Sequence, residues 1–286
     1  MPGPFTFQLS LVIPPCFILL PLSFILARMP MFSKAIVRVP GENFADGLTS
    51  VDLGVPDFET ARMQHRAYCE ALARCGLSLI ELEPDARYPD STFVEDTAIL
   101  TERCAVITQP GAPSRGGEIV SMAATLSKYY DKLDAVQPPG TIDGGDVCQI
   151  ENHFLIGISE RTNEAGALQL SAYLGASGFT SSQVDIRGTD GLLHLKSGIS
   201  YIGENRILVT EALAGEKQLE GFELVNVPAG EAYAANCIRV NDHVLFAAGF
   251  PTLRNKLDDL GYQLIELDMS EFQKMDGGLS CLSLRF

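Results

Sequence analysis

Four stretches of the chain repeat one layout: a polar residue, a short apolar run, a tight polar turn and a second apolar run. Asp96 leads into TAIL, turns at Thr101 to Arg103 and returns as CAVIT; Asp146 leads into VCQI, turns at Glu151 to His153 and returns as FLIGI. GISYI turns at Gly203 to Asn205 into RILVT, and CIRV turns at Asn241 to His243 into VLFAA. Short apolar runs bounded by turn formers predict paired strands. A further unit, SCLSL, is followed only by Arg285 and Phe286, so its partner is expected to be AIVRV, from Ala35 to Val39, which brings the two ends of the chain together.

From hairpin to hairpin the spacing is 50 residues (Asp96 to Asp146), then 51 to Ser197, 39 to Asn236 and 44 to Ser280. Such a period lies near that of propeller repeats. Amphipathic helical segments run from Phe58 to Arg74, Gly117 to Tyr129, Asn163 to Leu174 and Pro251 to Leu260, the last closed by Gly261. Each unit therefore reads as ββα plus another strand. The expected class is α/β: five blades in a ring, covering one another's edges around a central channel toward which the polar residue opening each hairpin points. An ordinary mixed α/β sandwich is the alternative. No linker or charge block interrupts residues 31–286, which read as a single domain.

Residues 1–30 do not share this pattern. No charged side chain occurs before Arg28, and Phe5 to Leu26 is apolar over a length that suggests a membrane span. Pro14, Pro15 and Pro21 each remove a helix hydrogen bond there, and the only cation follows the apolar run, contrary to an export signal. Two readings stay open: an anchor or uncleaved signal, placing the protein at a membrane or outside the cell, or a start assigned upstream of Met29 or Met31. The rest of the chain reads as cytoplasmic.

Composition narrows the partners. At 46% apolar and 20% charged residues the chain is globular, and its net charge of −15 repels phosphate backbones and attracts small cations, so nucleic acid is excluded. Seven cysteines in no paired or metal-ligand spacing suit a reducing compartment and suggest neither a disulfide framework nor a zinc site.

Few residues can carry chemistry. His153 and His243 fall in hairpin turns and His65 on a helix beside Gln64 and Arg66, all read as solvated. His194, inside the apolar run of GLLHLKSG, is the general acid/base candidate, with a hydrogen-bonded core histidine as the other reading. Five cysteines at 69, 75, 104, 148 and 237 read as packing, whereas Cys281 in DGGLSCLSLRF follows a glycine pair at the channel end of a hairpin, where a nucleophile fits. Asp90, Glu95 and Asp96 cluster in YPDSTFVED, and Asp143 and Asp146 in GTIDGGD. Turn chemistry explains either stretch alone, but both put carboxylates at the repeat position shared by His194 and Cys281. Arg115 and Arg161, in PGAPSRGGE and SERTNEAG, are surface bridges or anchors for a carboxylate ligand. Carboxylates around a nucleophile oppose acyl transfer and favour a cationic electrophile such as a guanidinium.

The ordered motifs FVED, PGAPSR, DGGD, SERTNEAGA, LLHLKSG, AANCI and DGGLSCLSLRF resemble the dimethylarginine dimethylaminohydrolases of the guanidino-modifying pentein superfamily, over residues 31–286. That resemblance implies a five-bladed α/β propeller of ββαβ units, no metal or organic cofactor, and a methylated arginine as the small cationic substrate; a homodimer is compatible with it. It implies Cys281 as nucleophile on the guanidinium carbon, His194 as general acid and then base, and Asp143 as the carboxylate orienting the histidine. Asp90, Glu95 and Asp96 would cage the guanidinium, Arg115 and Arg161 would grip the α-carboxylate, and Leu48 and Met275 would offer main-chain groups to the amino end. Met275 stands where a β-branched residue is commoner and would border the substrate. Arginine deiminase is the closest rival, and a catalytically silent pentein that binds a partner is the rival from a different class.

Overall fold

The computed structural model describes residues 1, 3 and 32–286, so the readings of the apolar leader fall outside the described residues. Among the described residues no helix is long and apolar enough to cross a membrane. In chain order the elements are β1 (Lys34–Arg38), α1 (Phe58–Arg74), β2 (Ser78–Leu82), β3 (Ala98–Leu100), β4 (Ala105–Ile107), α2 (Glu118–Leu126) and β5 (Leu133–Ala135). There follow β6 (Val147–Ile150), β7 (His153–Ile158), α3 (Glu164–Ala176), β8 (Thr180–Asp185), β9 (Ile199–Gly203), β10 (Arg206–Val209) and β11 (Glu223–Asn226). The last are β12 (Ile238–Val240), β13 (His243–Ala247), α4 (Pro251–Asp259), β14 (Gln263–Leu267), α5 (Ser270–Gln273) and β15 (Leu284–Arg285).

These strands make five three-stranded sheets, β15-β1-β2, β3-β4-β5, β6-β7-β8, β9-β10-β11 and β12-β13-β14. In each the middle strand pairs antiparallel on one side and parallel on the other. The terminal pairing expected from the sequence is present: Ala35 lies opposite Arg285 and Ile36 opposite Leu284.

The middle strands are apolar on both faces because each face meets a different neighbour. In β7, Phe154, Ile156 and Ile158 pack toward the β3-β4-β5 sheet, while Leu155 packs toward β9-β10-β11. In β13, Val244 and Phe246 join the β9-β10-β11 sheet, and Leu245 and Ala247 join β1. In β1, Ala35 and Val37 face β13 while Ile36 faces β4. Five apolar clusters thus each bridge two adjacent sheets, and together they close the ring.

A helix links the middle strand to its parallel partner in four of the sheets, as such a crossover requires. The expectation of a helix in every unit fails at β9-β10-β11. Gly215 and Gly221 interrupt the link from β10 to β11, which forms only a 3-10 turn at Lys217–Leu219 and covers its sheet with Leu213 and Leu219 instead. His65 is a second correction: it is buried, because a helical period places it on the stripe of Ala61, Tyr68 and Leu72 despite its polar neighbours. Burial pushes its imidazole down to about 4, so it is neutral there.

Candidate active site

A 3-10 turn leads into one hairpin or terminal strand of every sheet, and the chemistry sits on these five turns. Val94–Thr97 carries Glu95 and Asp96; Gly144–Asp146 follows Asp143; Leu195–Ser197 follows His194; Ala229–Ala235 ends at Asn236; Ser280–Leu282 holds Cys281. A cavity of about 820 Å³ is lined by Glu95, His194, Lys196, Asn236, Ser280 and Cys281 among others. Asp190, Glu211 and Asp276 add further carboxylates to its wall, and Val51, Leu53, Leu192, Ala232 and Tyr233 add apolar surface.

His194 Nε2 lies 3.2 Å from Asp143 Oδ2, and Asp143, fully buried, accepts a second bond from the Gly111 amide at 2.8 Å. Asp146 accepts from the Leu195 amide at 2.9 Å and from Ser159 Oγ at 2.7 Å, pinning the turn that presents the imidazole. Burial alone would lower the His194 pKa, but Asp146, Asp96 and Asp143 outweigh it and hold it up at about 9. The ring is therefore an imidazolium at neutral pH. Cys281 is half-buried, with Sγ accepting from the Gly278 amide at 3.4 Å. Burial, reinforced by Glu95 and Asp96, pushes its thiol up to about 12. Between free-enzyme partners the sulfur is thus protonated.

The two glycines of DGGD make room for this arrangement. A Cβ on Gly144 would stand 2.0 Å from the Glu95 carbonyl oxygen, and one on Gly145 would stand 2.6 Å from His194 Nδ1. Gly145→Ala is expected to displace the imidazole and lower kcat about 100-fold with the fold retained, a loss read by steady-state kinetics beside circular dichroism.

The remaining expected residues divide. Of the acid cage only Glu95 lines the cavity, and it accepts from Lys196 Nζ at 2.5 Å and from Ser280 Oγ at 2.7 Å. Asp96 lies behind it, bonded to Arg115 Nη1 and to the Gly145 amide at 2.8 Å. Burial opposes its charge, but Arg115, His194 and that amide keep the carboxyl at about 2. Asp90 is buried beside the loop at residue 48, accepting from the Leu48 amide at 2.9 Å. The Leu48 main-chain donor is therefore already engaged.

Arg115 is not among the residues lining the cavity: its side chain is 6% exposed, and all three guanidinium nitrogens are engaged by Asp96, Glu118 and the Phe93 carbonyl. The Met275 side chain is buried with Phe44, Phe93 and Phe272 in the core, and the contribution expected of this residue is a main-chain one. Arg161 is half-buried and, among the described residues, has no carboxylate within ion-pair distance. Burial raises the pKa of the Asp90 carboxyl, and the charges of Arg115 and Arg161 with the Leu48 amide oppose that rise.

Three contributors were overlooked in the sequence. Lys196 follows His194 inside LLHLKSG; Glu118 follows Arg115 by three residues, a spacing that itself signals a helical-turn ion pair. Asn236 ties Ser280 to Lys196: its Nδ2 donates to the Lys196 carbonyl and Ser280 Oγ, both at 3.0 Å, and its Oδ1 accepts from the Ser280 amide at 2.9 Å. Asp96, Asp143 and His194 also present ligand atoms within 4.8 Å of one another. Each of the three is bonded within the hydrogen-bond network just described, so the group needs no metal to account for it.

The chain is similar to several known proteins. The arginine deiminase family model matches residues 86–231. An N(G),N(G)-dimethylarginine dimethylaminohydrolase of Pseudomonas aeruginosa is 44% identical over 257 residues, 90% of this chain and 100% of that protein. One from Streptomyces coelicolor is 34% identical, over 88% of this chain and 96% of the relative. The Pseudomonas aeruginosa protein, solved as a cysteine-to-serine variant with citrulline, superposes with a TM-score of 0.87 over 90% of this chain and 100% of its own. The N-terminal domain of a cyanobacterial arginine dihydrolase, at 18% identity, covers 88% of this chain and 96% of its own with a TM-score of 0.79 and shares the fold. The chain belongs to the dimethylarginine dimethylaminohydrolase family, within the guanidino-modifying pentein superfamily.

Proposed function

We propose that this protein hydrolyses Nω-methylated arginines to citrulline and mono- or dimethylamine. The observation that carries the reading is a cysteine thiol and an imidazolium sharing one acid-lined cavity. Four carboxylates, Glu95, Asp190, Glu211 and Asp276, face a cavity whose only other charged side chains among its lining residues are Lys196 and His194. Such a wall selects a cation.

As the guanidinium enters, its charge offsets the acidic field at Cys281, and the thiol proton leaves to solvent because His194 already carries its own. The sulfur bonds to the guanidinium carbon, the C–N bond to the methylated nitrogen breaks, and His194 gives its proton to the departing amine. A covalent thiouronium remains on Cys281. The neutral His194 then takes a proton from water, the hydroxide adds to the thiouronium carbon, and the C–S bond breaks. Citrulline forms as the hydroxyl proton passes to sulfur, restoring thiol and imidazolium. Asp143 holds the imidazole in place throughout, and Arg161 meets the substrate's α-carboxylate.

The deiminase reading uses the same sulfur on unmethylated arginine. Apolar side chains of Val51, Leu53, Leu192, Ala232 and Tyr233 in the cavity wall favour a substrate bearing methyl groups. Parallel incubation of the purified protein with asymmetric dimethylarginine, monomethylarginine and arginine, followed by mass spectrometry, is expected to give citrulline chiefly from the methylated pair. Citrulline from arginine alone would establish the deiminase instead.

A further inference from the structure

The two acids at the centre of the site are both neutralised by cations of the chain, but the cations differ in how they are held. Arg115 is wedged in the interior, with Nε and Nη2 on Glu118, Nη1 on Asp96, and Nη2 also on the Phe93 carbonyl. Lys196 faces the cavity, and among the described residues Nζ has one partner, Glu95 Oε1. Its backbone is fixed by Asn236, which bonds the Lys196 carbonyl, while the side chain, 15% exposed, reaches Glu95 along the cavity wall on a stem of four rotatable carbons. Glu95 Oε2 is held separately by Ser280 Oγ, one residue before the sulfur, so the carboxylate stays in place if the ammonium leaves.

A guanidinium seeking a carboxylate in this cavity next to Cys281 therefore meets one already occupied by a displaceable cation. We propose that Lys196 is the exchangeable counter-ion of Glu95: a cationic ligand displaces it on entry, and it returns to Glu95 when the ligand becomes neutral. This rests on the reading of the cavity as a guanidine site and deepens it. Arg285 Nη2 also lies 3.9 Å from Glu95 Oε1, so the exchange keeps a cation at contact distance beside the carboxylate at every stage against this longer, fixed background. It also weakens binding of the cation while leaving a neutral urea such as citrulline without a charge to exchange, which favours its departure. Lys196 is thus a positioning residue that sets the discrimination between charged substrate and neutral product.

The test uses the Cys281→Ser background, in which binding is measured without turnover, by calorimetric titration of L-arginine and of citrulline at pH 8. Lys196→Gln removes the competing charge and keeps much of the stem. It is expected to tighten L-arginine about tenfold, since a pair at contact distance in a partly buried site exceeds that energy, and to move citrulline by less than about threefold. Lys196→Arg restores a cation and is expected to return L-arginine affinity toward the parent's. L-arginine affinity that is unchanged or weaker in Lys196→Gln, or both ligands shifting together, overturns the proposal and makes the lysine a structural support. A Cys281→Ser parent that binds neither ligand would instead refute the guanidine site itself.

Discussion

Cys281→Ser is expected to lower turnover of asymmetric dimethylarginine by about 10⁴-fold or more, with L-arginine still bound within about threefold of the parent affinity. Serine preserves the size and the turn, but not the means of ionising. The burial and acidic surroundings that push the thiol up to about 12 act on a hydroxyl as well, and a hydroxyl starts from a far higher pKa. His194 offers no rescue as a base, because Asp146, Asp96 and Asp143 hold its proton up to about pH 9. Paired stopped-flow turnover and equilibrium dialysis separate the two effects. Retention of more than a few per cent of the parent rate would mean that another group attacks.

For Asp143→Asn the expected loss in kcat is about 10²- to 10⁴-fold, the range seen when the carboxylate behind a catalytic histidine becomes an amide. The exchange is isosteric, and the Gly111 amide can still donate to the side-chain oxygen at the site where it now lies 2.8 Å away. What changes is the face toward His194. A carboxylate accepts a hydrogen bond from the Nε2–H of an imidazolium, whereas an amide that spends its oxygen on Gly111 turns a donor toward the same nitrogen and demands a neutral ring. One of the charges that raise the His194 pKa is lost as well. The sign follows: fewer nearby carboxylates favour the imidazolium less, so its pKa falls. In the parent, kcat/KM declines only above about pH 9 as the acid is lost; in Asp143→Asn that limb moves down toward the ordinary histidine range near pH 6.5. A pH–rate profile with an unmoved alkaline limb would refute this role for Asp143.

The repeated hairpins were legible because strand pattern and turn chemistry are local, and the ring followed because both faces of each middle strand are apolar. The same locality misled the reading elsewhere. A helix was expected in every unit, yet two glycines shorten the link between β10 and β11. His65 was judged by its neighbours in sequence when its neighbours on the helix face decide its burial. At the site, Cys281, His194 and Glu95 could be anticipated from their place in the repeat, since the ring brings equivalent turns together. Arg115 could not, because whether a loop arginine faces a ligand or an interior glutamate depends on packing that no local pattern encodes; the Arg115 and Glu118 spacing was the one available sign. Lys196 escaped for a related reason, as its partner lies 101 residues away on another sheet's turn.

The absent helix in the β9-β10-β11 sheet has a consequence for descent. Thr210, Glu211 and Ala212 open the irregular link that replaces it, and all three line the cavity. Irregular surface segments accept insertions and exchanges that packed elements refuse. Natural variation can therefore remould the mouth here, altering which side groups are admitted, while the ring and its reactive turns are inherited unchanged.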